Sequence, residues 1–492
     1  MARLTARDLI DLVLDDFESW DTPPARVGLG EAYAAELRAA EEKSGVDESV
    51  LTGAGTLGGH RVAVLVSEFG FLAGSIGRDA ADRLVAAVER ATRERLPLVA
   101  SPASGGTRMQ EGTPAFVQMV RIGQALAAHK AAGLPYLVYL RHPTTGGVMA
   151  TWGSLGHVTI AEPRALLGFL GPRVVELVTG SAMPEEVQRA ENLRTQGIID
   201  GVVLPSDLRE IAATTLDILA ARSGRSARPG RSGRDTPEAI PSAADVTTRP
   251  DAWDAITRTR DPRRPGAREL LAQATRLVPL DGTTRGGRDR GISLSLAMFG
   301  DSPCVVVAQD RAAQAKRPFG PEGLRVAQRG FELGEQLGLP VVTVIDTRGA
   351  ALTADAENGA IAGEIARTLG GLLATRAPTL CLMLGEGNGG GALALLPADR
   401  IIAAQHAWLT PLPPEGASAI VYGDTTHAPA MARAQHVTAF DLHDLGVVDL
   451  IVPELPDAAE EPAAFSARLA AVIEGELAGL SAGTPAERAA RF

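Results

Sequence analysis

Lysine is almost missing from this chain: Lys43, Lys130 and Lys316 are the only three among 48 basic residues. Cysteine is scarcer still, with Cys304 and Cys381 alone. Two thiols cannot build a disulfide framework or a four-thiolate zinc site, and they suit a reducing cytoplasm. No stretch approaches the ~18 unbroken apolar residues of a membrane helix. The first twenty residues carry Asp8, Asp11, Asp15 and Asp16, where a secretory leader needs an apolar core. The sequence therefore predicts a cytoplasmic protein with no membrane partner. Net charge is −11 with both signs interspersed, which leaves no basic footprint for nucleic acid. What is present is ample apolar material: 45% of 492 residues, enough for two to four ordinary domains.

The segment Ala221 to Pro250 is rich in Pro, Gly, Ser and Arg and poor in large apolar residues, so it cannot pack a core and reads as a linker. Its arginines, with no aromatics between them, form a solvated tether rather than a nucleic-acid patch. The halves on either side repeat one another. LPLVASPASGG begins at Leu96 and LPVVTVIDTRG at Leu339; LPYLVYLRHPTTGG begins at Leu134 and APTLCLMLGEGNGG at Ala377. Each pair, like Gly77 and Gly320, is separated by 243 positions, and a constant spacing over about 100 residues indicates two copies of one supersecondary plan. Strand, glycine turn and helix alternate in each, which predicts a parallel α/β architecture. In the first copy the turn is Thr144 to Gly147, and Val148 to Leu155 reads as the helix. Apolar positions Leu9, Ile10, Leu12 and Val13, then Tyr33 and Leu37, predict two helices of an N-terminal cap. The resulting division is a cap at 1–50, a domain at 51–220, a linker at 221–250 and a second domain at 251–492.

Several motifs are excluded by context. Gly53, Gly55 and Gly58 satisfy the dinucleotide pattern, but a strand follows instead of a helix, so they read as the turn of a hairpin. Ser104 lies in no nucleophile elbow and has no evident histidine partner. The spacings of His427, His436 and His443 match no zinc site. Three other turns carry chemistry: ASGGTRMQEG (103–112), TTGGV (144–148) and GEGNGGGALA (385–394). Each puts consecutive glycines at the end of an apolar strand, where a ligand can approach the backbone. Exposed N–H groups and a helix dipole there favour negative charge, the makings of an oxyanion hole.

ASGGTRMQEG together with TTGGVMATWGSLGHVTIAEPRALLGFLGPR resembles the β subunit of bacterial acetyl-CoA carboxylase carboxyltransferase. KRPFGPEGLRVAQRGFELGEQLGLP, GEGNGGGALA and PPEGASAIVYGD resemble its α subunit. The chain thus resembles a β-α fusion of the acyl-CoA carboxylase family, which implies two crotonase-like domains in tandem. The resemblance implies transfer of carboxylate from carboxybiotin to the α-carbon of a short-chain acyl-CoA such as acetyl- or propionyl-CoA. Gly146 and Gly147 would hold the thioester enolate oxygen. Gly390 and Gly391 would hold the ureido oxygen of biotin, although the repeat itself pairs Gly146 with Gly389. Gly105, Gly106 and Arg108 would line the acyl-CoA side, Arg108 contacting phosphate or shaping the loop, with an Arg108–Glu111 ion pair as the alternative. No metal is implied. None of the three lysines sits in a biotinyl motif and no ATP site is present, so a separate biotin carboxyl carrier and a biotin carboxylase are the expected partners. In this family the site lies between protomers, which implies a homo-oligomer, a dimer or hexamer.

Three departures stand out. The β subunit's zinc ribbon is missing, Arg348 to Thr353 replace the α subunit's TPGAYPG turn residues, and Asn388 stands where the family has glycine. They leave two other functions open: a biotin-independent malonyl-thioester decarboxylase, and a non-catalytic scaffold of a carboxylase assembly.

Overall fold

The structure, a computed structural model, describes residues 3–224 and 249–490, and the chain divides into two compact units. Met1–Asp217 with Thr284–Gly287 forms the first, and Ile218–Thr283 with Arg288–Phe492 the second. Most of the linker read at 221–250 lies outside the described residues. The last helix before that gap is Leu208–Gly224.

The first unit opens with helix Ala6–Val13, whose Thr5 cap accepts the Asp8 N–H at 3.1 Å. Its apolar residues Leu9, Ile10 and Val13 are buried, as their helical spacing predicts. Strand β1 (Phe17–Ser19) and helix Glu31–Ser44 follow, then β2 (Val50–Leu57) and β3 (His60–Ser67). Helix Arg78–Arg93 buries Ala80, Leu84, Val88 and Ala91 along one stripe and leads to β4 (Leu98–Ser101). Helix Gln118–Ala131 leads to β5 (Tyr136–Leu140). After them come β6 (Thr144–Thr145), β7 (Val158–Ala161), β8 (Leu167–Gly168) and β9 (Gly201–Val202). The sheet runs β1-β2-β3-β4-β5-β7-β9, antiparallel as far as β3 and parallel beyond it, and β6 pairs separately with β8.

Two local expectations are corrected. Gly53 and Gly55 lie inside β2, and the hairpin turn is made by Gly58 and Gly59, both at positive φ. The two strand glycines serve β1 instead. A Cβ on Gly53 would stand 2.3 Å from the Glu18 carbonyl, and one on Gly55 the same distance from that of Asp16. The helix after TTGG stops at Met149 rather than Leu155, because Gly153 folds back to donate to the Val148 carbonyl at 2.9 Å.

The second unit repeats the plan with β10 (Arg276–Leu280), β11 (Ile292–Phe299), β12 (Ser302–Gln309), β13 (Val341–Thr347), β14 (Thr379–Asn388), β15 (Arg400–Ala404), β16 (Trp408–Thr410) and β17 (Leu450–Val452). Its order is β10-β11-β12-β13-β14-β15-β17, again antiparallel for the first three and parallel thereafter. The far end of β14 leaves β15 and pairs with β16, as β6 does with β8. Gly77 and Gly320 both cap the helix that precedes the next parallel strand. In the first unit β5 and β6 are separated at Pro143, which lacks an N–H. Glu386 occupies the matching place in unbroken β14, and its N–H reaches Asp346 at 3.1 Å.

Candidate functional site

In the first unit the chain leaving β4 turns at Ser104, Gly105 and Gly106. The Ser104 hydroxyl donates to the Gly74 carbonyl at 2.5 Å and accepts the Gly106 N–H at 3.0 Å, so it is spent on shaping the turn. Gly106 has φ 107° and Gly146 φ 66°, conformations that glycine alone adopts without strain. The two meet backbone to backbone. A Cβ on Gly146 would stand 2.9 Å from the Gly106 Cα, and one on Gly106 3.1 Å from the Gly146 Cα. The Ser104 carbonyl accepts the Thr145 N–H at 2.9 Å, locking ASGG onto TTGG. Gly146 gives its own N–H to the Phe169 carbonyl, whereas the Gly147 N–H, in the first turn of helix Gly146–Met149, has no helical acceptor. That helix has four residues, too few for a substantial dipole, so the individual N–H groups carry whatever attraction the turn has for an anionic oxygen.

The second unit builds the same turn from different residues. Thr347 takes the place of Ser104, and its hydroxyl accepts the Gly349 N–H at 3.0 Å. Gly349 has φ 114° and Gly389 φ 66°, matching Gly106 and Gly146. Gly389 is therefore the backbone counterpart of Gly146 and Gly390 that of Gly147, the pairing that the 243-residue repeat gives. Gly391 has another reason to be glycine: a Cβ there would stand 2.4 Å from the Phe319 ring, and its carbonyl accepts Gln309 Nε2 at 2.9 Å. Around this turn the second unit buries charge. Asp346 and Glu386 are both 1% exposed, with Arg311 Nε 3.3 Å from Asp346. Burial lifts the Asp346 carboxyl up to about 6; Arg311 opposes the shift and Glu386 adds to it.

Arg108 turns away from the glycines. It is 1% exposed, and its guanidinium is bound by Glu48, Ser49 and the Ser75 carbonyl, with Tyr33 at 3.4 Å. Burial and these partners leave no donor for a phosphate, so the geometry carries the loop-shaping alternative. Glu111 lies 3.7 Å away as a secondary partner. The sequence reading missed Tyr33, which looked like one apolar position on the cap. Its hydroxyl donates to Glu111 at 2.6 Å, and one turn further along helix Glu31–Ser44 Glu36 accepts Gln110 Nε2 at 2.8 Å. The cap thus grips both ends of the Arg108–Glu111 loop. Tyr33→Phe is expected to cost about 1 kcal/mol of stability in urea unfolding, the net value of one hydrogen bond.

Apolar surface lies bare beside each turn. Helix Pro172–Thr179 buries none of its residues although Leu177 and Val178 are apolar, and Phe169, which accepts the Gly146 N–H, is 70% exposed. In the second unit Leu352, three residues after Gly349, is 94% exposed.

The carboxyl transferase domain family matches residues 1–487. The chain belongs to that family. It is 52% identical over 486 residues to the probable biotin-dependent acyl-coenzyme A carboxylase beta3 subunit of Mycobacterium tuberculosis, covering 98% of this chain and 95% of the relative. It is 39% identical over 453 residues to the acetyl-coenzyme A carboxylase carboxyl transferase subunits beta/alpha of Salinispora arenicola, covering 90% and 80%. The fold matches that of the transcarboxylase 12S hexamer with TM-score 0.76 at 20% identity, over 98% of this chain and 91% of that one. The carboxyltransferase class and the tandem crotonase-like fold read from the motifs are therefore borne out. Among the described residues no helix is long and apolar enough to cross a membrane, and no group of three or more His, Cys, Asp or Glu is placed to hold a metal.

Proposed function

We propose that this carboxyltransferase moves carboxylate from carboxybiotin, borne on a separate carrier, to the α-carbon of a short-chain acyl-CoA such as acetyl- or propionyl-CoA. The observation that carries the reading is the duplicated turn, Gly106 against Gly146 in one unit and Gly349 against Gly389 in the other, with matched φ values. Transfer between two carbonyl compounds develops negative charge on two oxygens, and the chain has two backbone sites of one design. The Gly147 N–H holds the thioester oxygen as the α-proton leaves, with Gly105 and Gly106 closing that side. The Gly390 N–H holds the ureido oxygen as carboxylate departs. Such donors act by placement and preorganised charge, and no side-chain base is required. Carboxybiotin supplies the carboxylate and, once that has gone, the base for the α-proton. Lys130 is engaged with the Leu155 carbonyl at 3.0 Å, and none of the three lysines stands in a carrier motif, which supports a carrier and a biotin carboxylase as separate partners. The bare apolar faces beside both turns support assembly with further copies of the chain, each half-site meeting its complement from another protomer.

The test runs the reaction backwards, with malonyl-CoA or methylmalonyl-CoA and with or without free biotin or biotinylated carrier. Biotin-dependent loss of the carboxylated thioester is expected, from an oligomer by light scattering. Loss that ignores biotin would instead identify a decarboxylase, no loss with carrier present a scaffold, and an active monomer would overturn the assembly.

A further inference from the structure

The two turns share one backbone, and the first spends charge that the second does without. In each unit the loop leaving the turn donates an N–H to the residue before the matched helix cap: Arg108 to the Ile76 carbonyl at 3.0 Å, Ala351 to that of Phe319 at 2.9 Å. The caps themselves are Gly77 and Gly320, which have no side chain to offer the helix. At the places of Arg108 and Glu111, 243 positions on, the second unit has Ala351 and Ala354. Its loop ends at once in helix Ala354–Asn358, whose Thr353 cap accepts the Ala356 N–H at 3.2 Å. The carboxylate at its Gly320 cap comes from outside that loop: Asp289 accepts the Gly320 N–H at 2.7 Å. In the first unit the loop runs on through exposed Met109 and Gln110, and its own Glu111 supplies the carboxylate. Glu111 accepts the Arg78 N–H at 2.7 Å and the Tyr33 hydroxyl at 2.6 Å, with its side chain 9% exposed. Gly77 leaves it the room. A Cβ there would land on the Glu111 carboxylate and 2.8 Å from Arg108 Nη1.

We infer that Glu111 is a positioning residue for the acyl-CoA side, a clamp that holds Gly105 and Gly106 in place by fastening the far end of their loop to helix Arg78–Arg93. This rests on the reading just given and adds a residue to it. Between clamp and turn the backbone is bonded at each step: Gly105 donates to the Ala73 carbonyl and the Gly106 carbonyl accepts the Ile76 N–H, both at 2.9 Å. Gly106 bears on Gly146, and a Cβ on Gly147 would stand 3.2 Å from the Thr107 hydroxyl. A slackened loop therefore reaches the Gly147 N–H through contacts that are already closed. Burying ions costs desolvation that their attraction only roughly repays, and the second unit forms its turn with alanines at these places. Stability of the fold alone does not account for the charge.

The test compares the full-length matched variants Gly77→Ala and Gly320→Ala with Glu111→Ala, Glu111→Gln and the double variant Gly77→Ala, Glu111→Ala, by kinetics of the reverse reaction and thermal melts. Alanine suits the extended backbone of both glycines, at φ −93° and −108°. At position 320 the new Cβ meets nothing nearer than the flexible end of Glu322, at 3.3 Å, so that variant is expected to turn over as wild type. Gly77→Ala and Glu111→Ala are expected to lower kcat about tenfold and to leave the biotin KM within about twofold. Misplacement by about 1 Å costs about a hundredfold, and a partly slackened loop costs less. Glu111→Gln keeps an acceptor for the Arg78 N–H and is expected to restore most of the rate. The double variant should be no slower than Glu111→Ala alone, because alanine at 77 acts only through the carboxylate it displaces. A lower melting temperature with kcat unmoved would leave Glu111 a helix cap and overturn the inference, as would additive losses in the double variant or an equal rise in both Michaelis constants. A wild type with no biotin-dependent turnover would instead overturn the reading beneath it.

Discussion

Gly146→Val is expected to lower turnover by a hundredfold or more while the protein still folds. Position 146 has φ 66°, which a β-branched residue adopts only under strain. Its first side-chain atom would stand 2.9 Å from the Cα of Gly106, and backbone cannot swing aside as a flexible side chain can. TTGG and ASGG must therefore part, carrying the Gly147 N–H out of line. Loss of one donor to a developing oxyanion typically costs 10² to 10³ in rate, and misplacement by about 1 Å costs as much. The damage should fall on kcat rather than on the acyl-CoA KM, because the interaction strengthens in the transition state. Gly123→Ala is the control: it lies on helix Gln118–Ala131 with nothing within 4 Å of the added Cβ. It should retain full activity and gain up to about 1 kcal/mol of stability. Steady-state kinetics and thermal melts of both variants check this, and wild-type turnover by a folded Gly146→Val protein would remove the turn from the mechanism.

Glu454→Gln is expected to cost about 3 to 5 kcal/mol of stability in the second unit, the usual penalty for stranding a buried charge. Arg264 and Glu454 form a two-pronged pair at 2.5 and 2.7 Å, almost wholly shielded from solvent. Glu454 also accepts the N–H groups of His406 and Ala458 at 3.1 Å, and Arg264 donates to the Leu384 carbonyl at 3.0 Å. The pair thus joins β14, the turn after β15 and the loop after β17. Burial raises the Glu454 pKa, but its bonds with His406 and Arg264 outweigh burial, and the carboxyl ends well below the ordinary range. A carboxylate held low contributes stability above its unfolded pKa, near 4.3, and loses it as pH falls towards the folded value. Acid unfolding of the wild type should therefore be steeper than that of the variant. The double variant Arg264→Met, Glu454→Met should be more stable than either single one, since it strands no charge. Guanidinium unfolding at pH 7 and at pH 4 reads each of these.

The repeat was legible because its units are local. A strand, a glycine turn and a helix occupy about 20 neighbouring residues, so the 243-residue spacing survives in plain sequence and correctly equates Gly146 with Gly389. What escaped depends on contacts far apart in the chain. Nothing near Tyr33 announces Glu111, 78 positions away, and for Arg108 the sequence offered Glu111 as a partner but not Glu48, which lies 60 positions before it. The glycines at 53 and 55 read as a turn because a small residue permits either a bend or a close neighbour. Only the arrival of β1 decides between them. Asn388 was noticed as a departure, but that its amide oxygen is buried unpaired among the described residues is a fact of packing that periodicity does not encode.

The borders of the two sheets bear on how copies of this chain can meet. The first sheet ends in β1, of three residues, and β9, of two; the second ends in β17, of three, and β10, whose five residues include Pro279. Borders so short, or interrupted by a residue without an N–H, offer a poor ladder to a foreign strand. At the concentrations at which chains crowd during synthesis, that guards two largely apolar sheets against stitching together into fibrils. It also means that any lasting association has to be made by side chains meeting face to face, where composition can discriminate one partner from another.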